Sequence, residues 1–115
     1  MSVKKLNHSR RIAVPSMGDS SDSLISNNLG RSPFIIIYDD EGKEYNSYEN
    51  IGFSVQDGSG LKAAETIIQN NADILLTREI GRKAYSVLVK KHVIVHLIDS
   101  GGTVKSAVSR FIKGE

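Results

Sequence analysis

The sequence predicts a single α/β domain with a five-stranded mixed sheet and three helices. Three observations carry that expectation. Short apolar runs recur as "RIAV", "FIII", "ADILL" and "HVIVHLI". The stretches between the later runs repeat their apolar residues at helical spacing. The first runs are joined instead by loop and hairpin chemistry, so the chain opens with antiparallel strands and continues with βαβ units.

"RIAVPS", Arg11 to Ser16, reads as a short apolar strand stopped by Pro15. "MGDSSDSLISNNLGRSP" follows, a long polar loop of a kind that is often functional. "FIIIYD", Phe34 to Asp39, is a continuous apolar run typical of a strand buried on both faces. "DEGK" forms a hairpin turn into "EYNSYEN", Glu44 to Asn50, whose polar residues suit a sheet edge. Leu61, Ala64, Ile67 and Ile68 make a helical stripe, with Ser59 as its expected N-cap and Asn70–Asn71 at its close. "ADILLT", Ala72 to Thr77, is the next buried strand. Ile80, Ala84, Val87 and Leu88 form a second helix, with Lys90 and Lys91 at its negative end. "HVIVHLI" is the fifth strand. Thr103 caps a third helix carrying Val104, Ala107, Val108 and Phe111.

Composition excludes several classes. At 115 residues the chain is one domain, able to bury roughly two-thirds of its unfolded surface. No apolar stretch approaches a membrane span, and the N-terminus lacks the apolar core of a secretory signal. There is no cysteine, hence no disulfide and no thiolate for metal binding or nucleophilic catalysis. The expected location is cytoplasmic. The net charge of +2 is a property of the N-terminus: without Lys4, Lys5, Arg10 and Arg11 the remainder stands at −2. Residues 1–10 read as a basic flexible tail and residues 11–115 as the domain. A solvated terminus is the simplest reading of that tail, ahead of a nucleic-acid contact.

Candidate chemistry collects at one edge. The loop after Pro15, "TREIG" and "SGGT" all follow the carboxyl ends of strands, where open α/β sheets bind ligands. "GRSP" and "QDGSG" are placed to close over that crevice. Arg31, Asp57, Gly58, Gly60, Arg78 and Arg82 are therefore expected to neighbour one shallow pocket, with helix N-termini favouring an anion. Turn chemistry alone also accounts for Gly30 and Arg31. "GSGLKA", Gly58 to Ala63, matches a loose dinucleotide pattern, but follows a polar edge strand and a loop where an apolar first strand is required. His92 and His96 lie in a strand, where four steps span roughly 13 Å, too far for one shared metal ion. His96 reads as a packed residue that could face the pocket. "DDE", Asp39 to Glu41, reads as a solvated turn. No catalytic constellation emerges.

Taken together, "RIAVPS", "LGRSPFIIIYD", "GSGLKAAETI", "ADILLTREIGRKAYSVL" and "GGTVKSAV" resemble the dinitrogenase iron–molybdenum cofactor biosynthesis family, which includes nitrogenase cofactor carriers and orange-protein-like members. The resemblance runs from about Arg11 to Phe111. It implies a three-layer α/β/α domain of ribonuclease H-like architecture. The first strand lacks the acid of a two-metal nuclease, so nuclease activity is not implied. What it does imply is a small non-enzymatic binder or carrier of an anionic, molybdenum-containing metal–sulfur cluster held noncovalently. A protein that donates or accepts the cluster is then the expected partner, and no membrane is involved.

Where many members read "HFGR" and "HGAG", this chain has Asn28-Leu29-Gly30-Arg31 and Asp57-Gly58-Ser59-Gly60. Asn28 and Asp57 thus stand where imidazoles are expected, and neither is an equivalent metal ligand. Arg31 is expected to supply charge, with Arg78 also able to offset Asp57. Gly30, Gly58 and Gly60 would allow backbone approach, and Asn28 and Asp57 polar contacts. A phosphate or nucleotide ligand, or a fold kept as a protein-interaction module, are the alternatives.

Overall fold

A computed structural model describes residues 10–99 and 101–114. The basic tail expected at residues 1–10 therefore lies, apart from Arg10, outside the described residues. Five strands form one sheet: β1 (Arg11–Ser16), β2 (Phe34–Asp39), β3 (Glu44–Glu49), β4 (Ile74–Thr77) and β5 (Ile94–Leu97). Their order is β3-β2-β1-β4-β5. The β1–β2 and β2–β3 pairs are antiparallel, and β1–β4 and β4–β5 are parallel. Helices α1 (Ser59–Gln69), α2 (Arg82–Lys90) and α3 (Val104–Lys113) complete the three layers. This is the mixed α/β architecture the sequence predicts.

The period-2 geometry of strands explains why the central runs are apolar throughout. Ala13, Ile35, Ile37 and Leu75 point to one face, where they pack with Ala63, Ala64, Ile67, Ala84 and Leu88 of α1 and α2. Ile12, Val14, Ile36, Ile74 and Leu76 point to the other and meet Val104, Ala107 and Val108 of α3. Full burial of a single such isoleucine is worth about 1.5–3 kcal/mol, so both faces are needed to hold the sheet. β3 is a polar edge, as its sequence implies. β5 is the opposite edge and is largely exposed, although its run "IVHL" contains three apolar residues.

Several boundaries differ from the sequence reading. β1 runs one residue beyond Pro15, which lies past the Ile12↔Ile74 and Ala13↔Leu75 register where a missing N–H would break a ladder. Ser59 is the first residue of α1 and not its cap. Gly58 occupies that place at φ 74°, ψ 21°, with no side-chain cap bond. Ile80 precedes α2. Residues Ile51–Ser54 form a 3₁₀ turn capped by Asn50, whose side chain accepts from Gly52 N. Thr103 does cap α3, in a reciprocal box with Ser106.

Candidate functional site

The long loop between β1 and β2 is ordered by backbone bonds along the carboxyl edge of the sheet. Ser26 N donates to Pro15 O at 3.0 Å, and Ile25 N donates to Gly102 O at 2.9 Å. Asn28 forms an isolated parallel bridge with Glu79. The segments after β1, β4 and β5 therefore do meet at one edge, as strand polarity requires.

At that edge α1 and α2 begin side by side. Two adjoining hollows, of about 500 and 180 Å³, form one groove between the helix starts. Residues 58–61 and 81–84 line its wider part, and Asn28, Leu29, Gly30 and Ile80 its inner end. Both helices are N-capped by glycine, Gly58 and Gly81, and neither has a side-chain cap bond. Their first N–H groups are therefore left to solvent or to a ligand. Arg82 and Lys83 stand exposed on the rim, and neither is drawn into an ion pair among the described residues.

The loop carrying Gly30 presses onto the first turn of α1. A Cβ at Gly30 would sit 2.5 Å from Ser59 Oγ and 2.8 Å from Gly60 N, so only glycine fits without displacing backbone. Asn28 holds this turn closed, its Oδ1 accepting from Arg31 N at 3.2 Å. Beneath it Asn50, only 4% exposed, donates through Nδ2 to Leu29 O at 3.0 Å and Ser32 O at 2.8 Å. The chain returning from β3 is thus stitched to the loop that closes the groove.

The sequence-predicted residues divide accordingly. Asn28, Gly30, Gly58, Gly60 and Arg82 line the groove. Arg31 does not offer its charge there: its guanidinium donates to Val55 O at 2.6 Å and Gln56 O at 3.0 Å. It clamps the segment leading into α1, because that segment presents carbonyls left unpaired after the 3₁₀ turn. Arg78 donates to Asn27 Oδ1 at 2.6 Å and braces the loop from behind. Asp57 is exposed and absent from the lining. His96 faces elsewhere, with its ring 5.1 Å from that of Phe111 in an edge-to-face contact. The glycine pattern at Gly58–Gly60 follows a 3₁₀ turn, so the strand–turn–helix context of a dinucleotide site is missing.

Lys83 was not legible as a site residue, and Gly81 entered only as the last residue of the "TREIG" segment, not as a helix cap. The one available signal was the pair of basic residues directly after a glycine in "GRK". Among the described residues, no group of three or more His, Cys, Asp or Glu could hold a metal ion.

The sequence profile described as "Dinitrogenase iron-molybdenum cofactor" matches residues 10–114. The chain belongs to the dinitrogenase iron-molybdenum cofactor family. Among solved structures, the apo orange protein from Desulfovibrio gigas is 30% identical, with a TM-score of 0.86 over 93% of this chain and 90% of that one. A NifB-type protein from Thermotoga is also 30% identical, with a TM-score of 0.80 over 91% and 89% of the two chains. A dinitrogenase-type protein from Methanocaldococcus jannaschii, 19% identical, shares the fold with a TM-score of 0.64 over 93% and 91%. Comparison with curated proteins gives no match. Among the described residues, no helix is long and apolar enough to cross a membrane.

Proposed function

We propose that this member of the dinitrogenase iron-molybdenum cofactor family binds an anionic metal–sulfur cluster, or a thioanion precursor of one, in the groove between the starts of α1 and α2. The observation that carries this reading is the convergence of two helix N-termini, both capped by glycine alone, on one groove with Arg82 and Lys83 at its rim. Each helix start acts as roughly half a positive charge and presents free N–H donors. Two of them beside two side-chain cations make a platform for a compact, multiply charged anion.

The donor set decides how such a cargo would be held. The lining contains no thiolate, imidazole or carboxylate. The contacts available are N–H groups and cations, which meet the sulfido or oxo atoms of an anion and leave its metals unligated by these side chains. Noncovalent binding follows, and it needs neither histidine that Asn28 and Asp57 replace. The groove's hydroxyl and amine, Ser59 and Lys83, have no histidine or carboxylate in the lining to activate them, and the role that fits is a carrier that receives the anion from one protein and passes it to another.

Anaerobic isothermal titration with tetrathiomolybdate tests this. The expected result is saturable binding at one site, weakened about tenfold, or 1.4 kcal/mol, in the double variant Arg82→Gln/Lys83→Gln. No saturable binding of tetrathiomolybdate or molybdate would overturn the reading. Saturable binding of ATP in their place would assign the groove to phosphates.

A further inference from the structure

We propose that β5 is a dimerisation edge, and that two copies of the chain pair their β5 strands antiparallel about a two-fold axis at His96. The two sheets then join into one of ten strands.

Edge strands in monomeric proteins are normally blunted by charge, proline or a bulge. β3, the other edge, follows that rule, with Glu44 and Glu49 at its ends and Asn46 and Ser47 between. β5 does not: "IVHL" has no acidic or lysine residue and no proline, and its Ile94 and Leu97 are 63% and 61% exposed. The neighbouring helix extends the apolar surface. Lys83 of α2 faces the groove shared with α1, so Tyr85 and Val89 lie on the opposite flank, toward β5. They are 47% and 45% exposed. Four exposed apolar side chains thus border one open strand.

The hydrogen-bond phase of β5 selects the pairing. Ile94 N and Ile98 N both donate inward, to Asp73 O and Thr77 O at 2.9 Å. By strand alternation, Val95 and Leu97 direct their N–H and C=O groups outward. Val93 N is already committed to Leu88 O at 2.9 Å. A two-fold axis perpendicular to the sheet requires opposed residues to share a face. Centring it on His96 sets Val95 of each copy opposite Leu97 of the other and satisfies all four outward groups of both strands. Centring it on Val95 would leave each Leu97 carbonyl facing the committed Val93 N–H.

Charge supports a second copy as the occupant. Lys90 and Lys91 precede β5, Asp99 follows it, and none of them is in an ion pair among the described residues. Antiparallel pairing brings the acidic end of one copy to the basic end of the other, twice over. Such an interface is isologous and closes after two chains.

Sedimentation equilibrium of the full chain, from micromolar to millimolar concentration, is the first test. The expected mass rises to twice 12.6 kDa, and Ile94→Lys and Leu97→Lys, both at exposed positions, return it to 12.6 kDa with unchanged circular dichroism. A second test uses the absence of cysteine from the chain. His96→Cys places two thiols in a non-hydrogen-bonded antiparallel pair, about 4.5 Å apart between Cα atoms, and should form an intermolecular disulfide on mild oxidation. Ser47→Cys, on the β3 edge, should not. A mass of 12.6 kDa at every concentration, a dimer that survives both lysine substitutions, or cross-linking at Ser47→Cys instead of His96→Cys would each overturn the proposal.

Discussion

Removing the amide of Asn50 should loosen the groove from below. Its Nδ2 donates to Leu29 O, Ser32 O and Ser32 Oγ, and its Oδ1 accepts from Gly52 N at 3.0 Å. In Asn50→Ala, Leu29 O keeps a partner, because Ser32 Oγ also donates to it at 2.9 Å. Ser32 O and Gly52 N lose theirs. Two buried groups left unpaired at about 1–2 kcal/mol each give a loss of about 3 kcal/mol. At about 4 °C per kcal/mol, the melting temperature should fall by about 12 °C. Asn50→Asp is the sharper control: it keeps an acceptor for Gly52 N but turns an oxygen toward two carbonyls and buries a charge. Burial raises that carboxyl above its ordinary range, so the folded state binds the proton more tightly than the unfolded. The variant should be weaker than wild type at neutral pH and recover part of the difference as pH falls and the acid protonates. Urea unfolding followed by circular dichroism measures both. A loss below about 0.5 kcal/mol in Asn50→Ala, within the range of an ordinary surface substitution, would refute the reasoning.

Three further outcomes are expected. Gly30→Ala should cost about 1–3 kcal/mol in urea unfolding, because the new methyl meets Gly60 N at 2.8 Å and one of two backbone segments must move. Thr103→Ala removes the acceptor for Ser106 N at 3.1 Å and should destabilise by about 1 kcal/mol, read in thermal melts. Tyr45 has its pKa raised from 10.0 by burial and by the neighbouring Tyr38, whose ring lies 4.7 Å away. The folded chain therefore retains a proton that the unfolded chain releases, and stability should fall as pH rises past 10.0, less steeply in Tyr45→Phe.

Much of the fold was legible because each strand and helix announces itself locally. "FIIIYD" carries its three isoleucines where the strand is buried between the helix layers, and Thr103 directly precedes the apolar stripe of α3 that it caps. β5 shows the limit. Its apolar run marks a strand, but whether a strand lies inside the sheet or at its edge depends on the order of strands, which no local pattern encodes. The groove divides in the same way. Glycines at 30, 58 and 60 signalled close backbone approach, and the structure places them together at the helix starts. Arg31 read as a ligand cation because a guanidinium beside a glycine suits one. Its carbonyl partners lie 24 and 25 residues on, in a segment whose path is set by the Asn50 network. Gly81 became visible as a helix cap only once α2 was seen to begin beside α1.

The most direct test of anion binding between the two helix starts is an amide NMR titration of the anaerobic protein with tetrathiomolybdate. Saturable shifts centred on the N–H groups of residues 59–61 and 82–84, with little change at His96 and Phe111, are the result this account predicts. A folded spectrum unmoved across the groove, or one whose shifts centre on the face between β5 and α3, would contradict it.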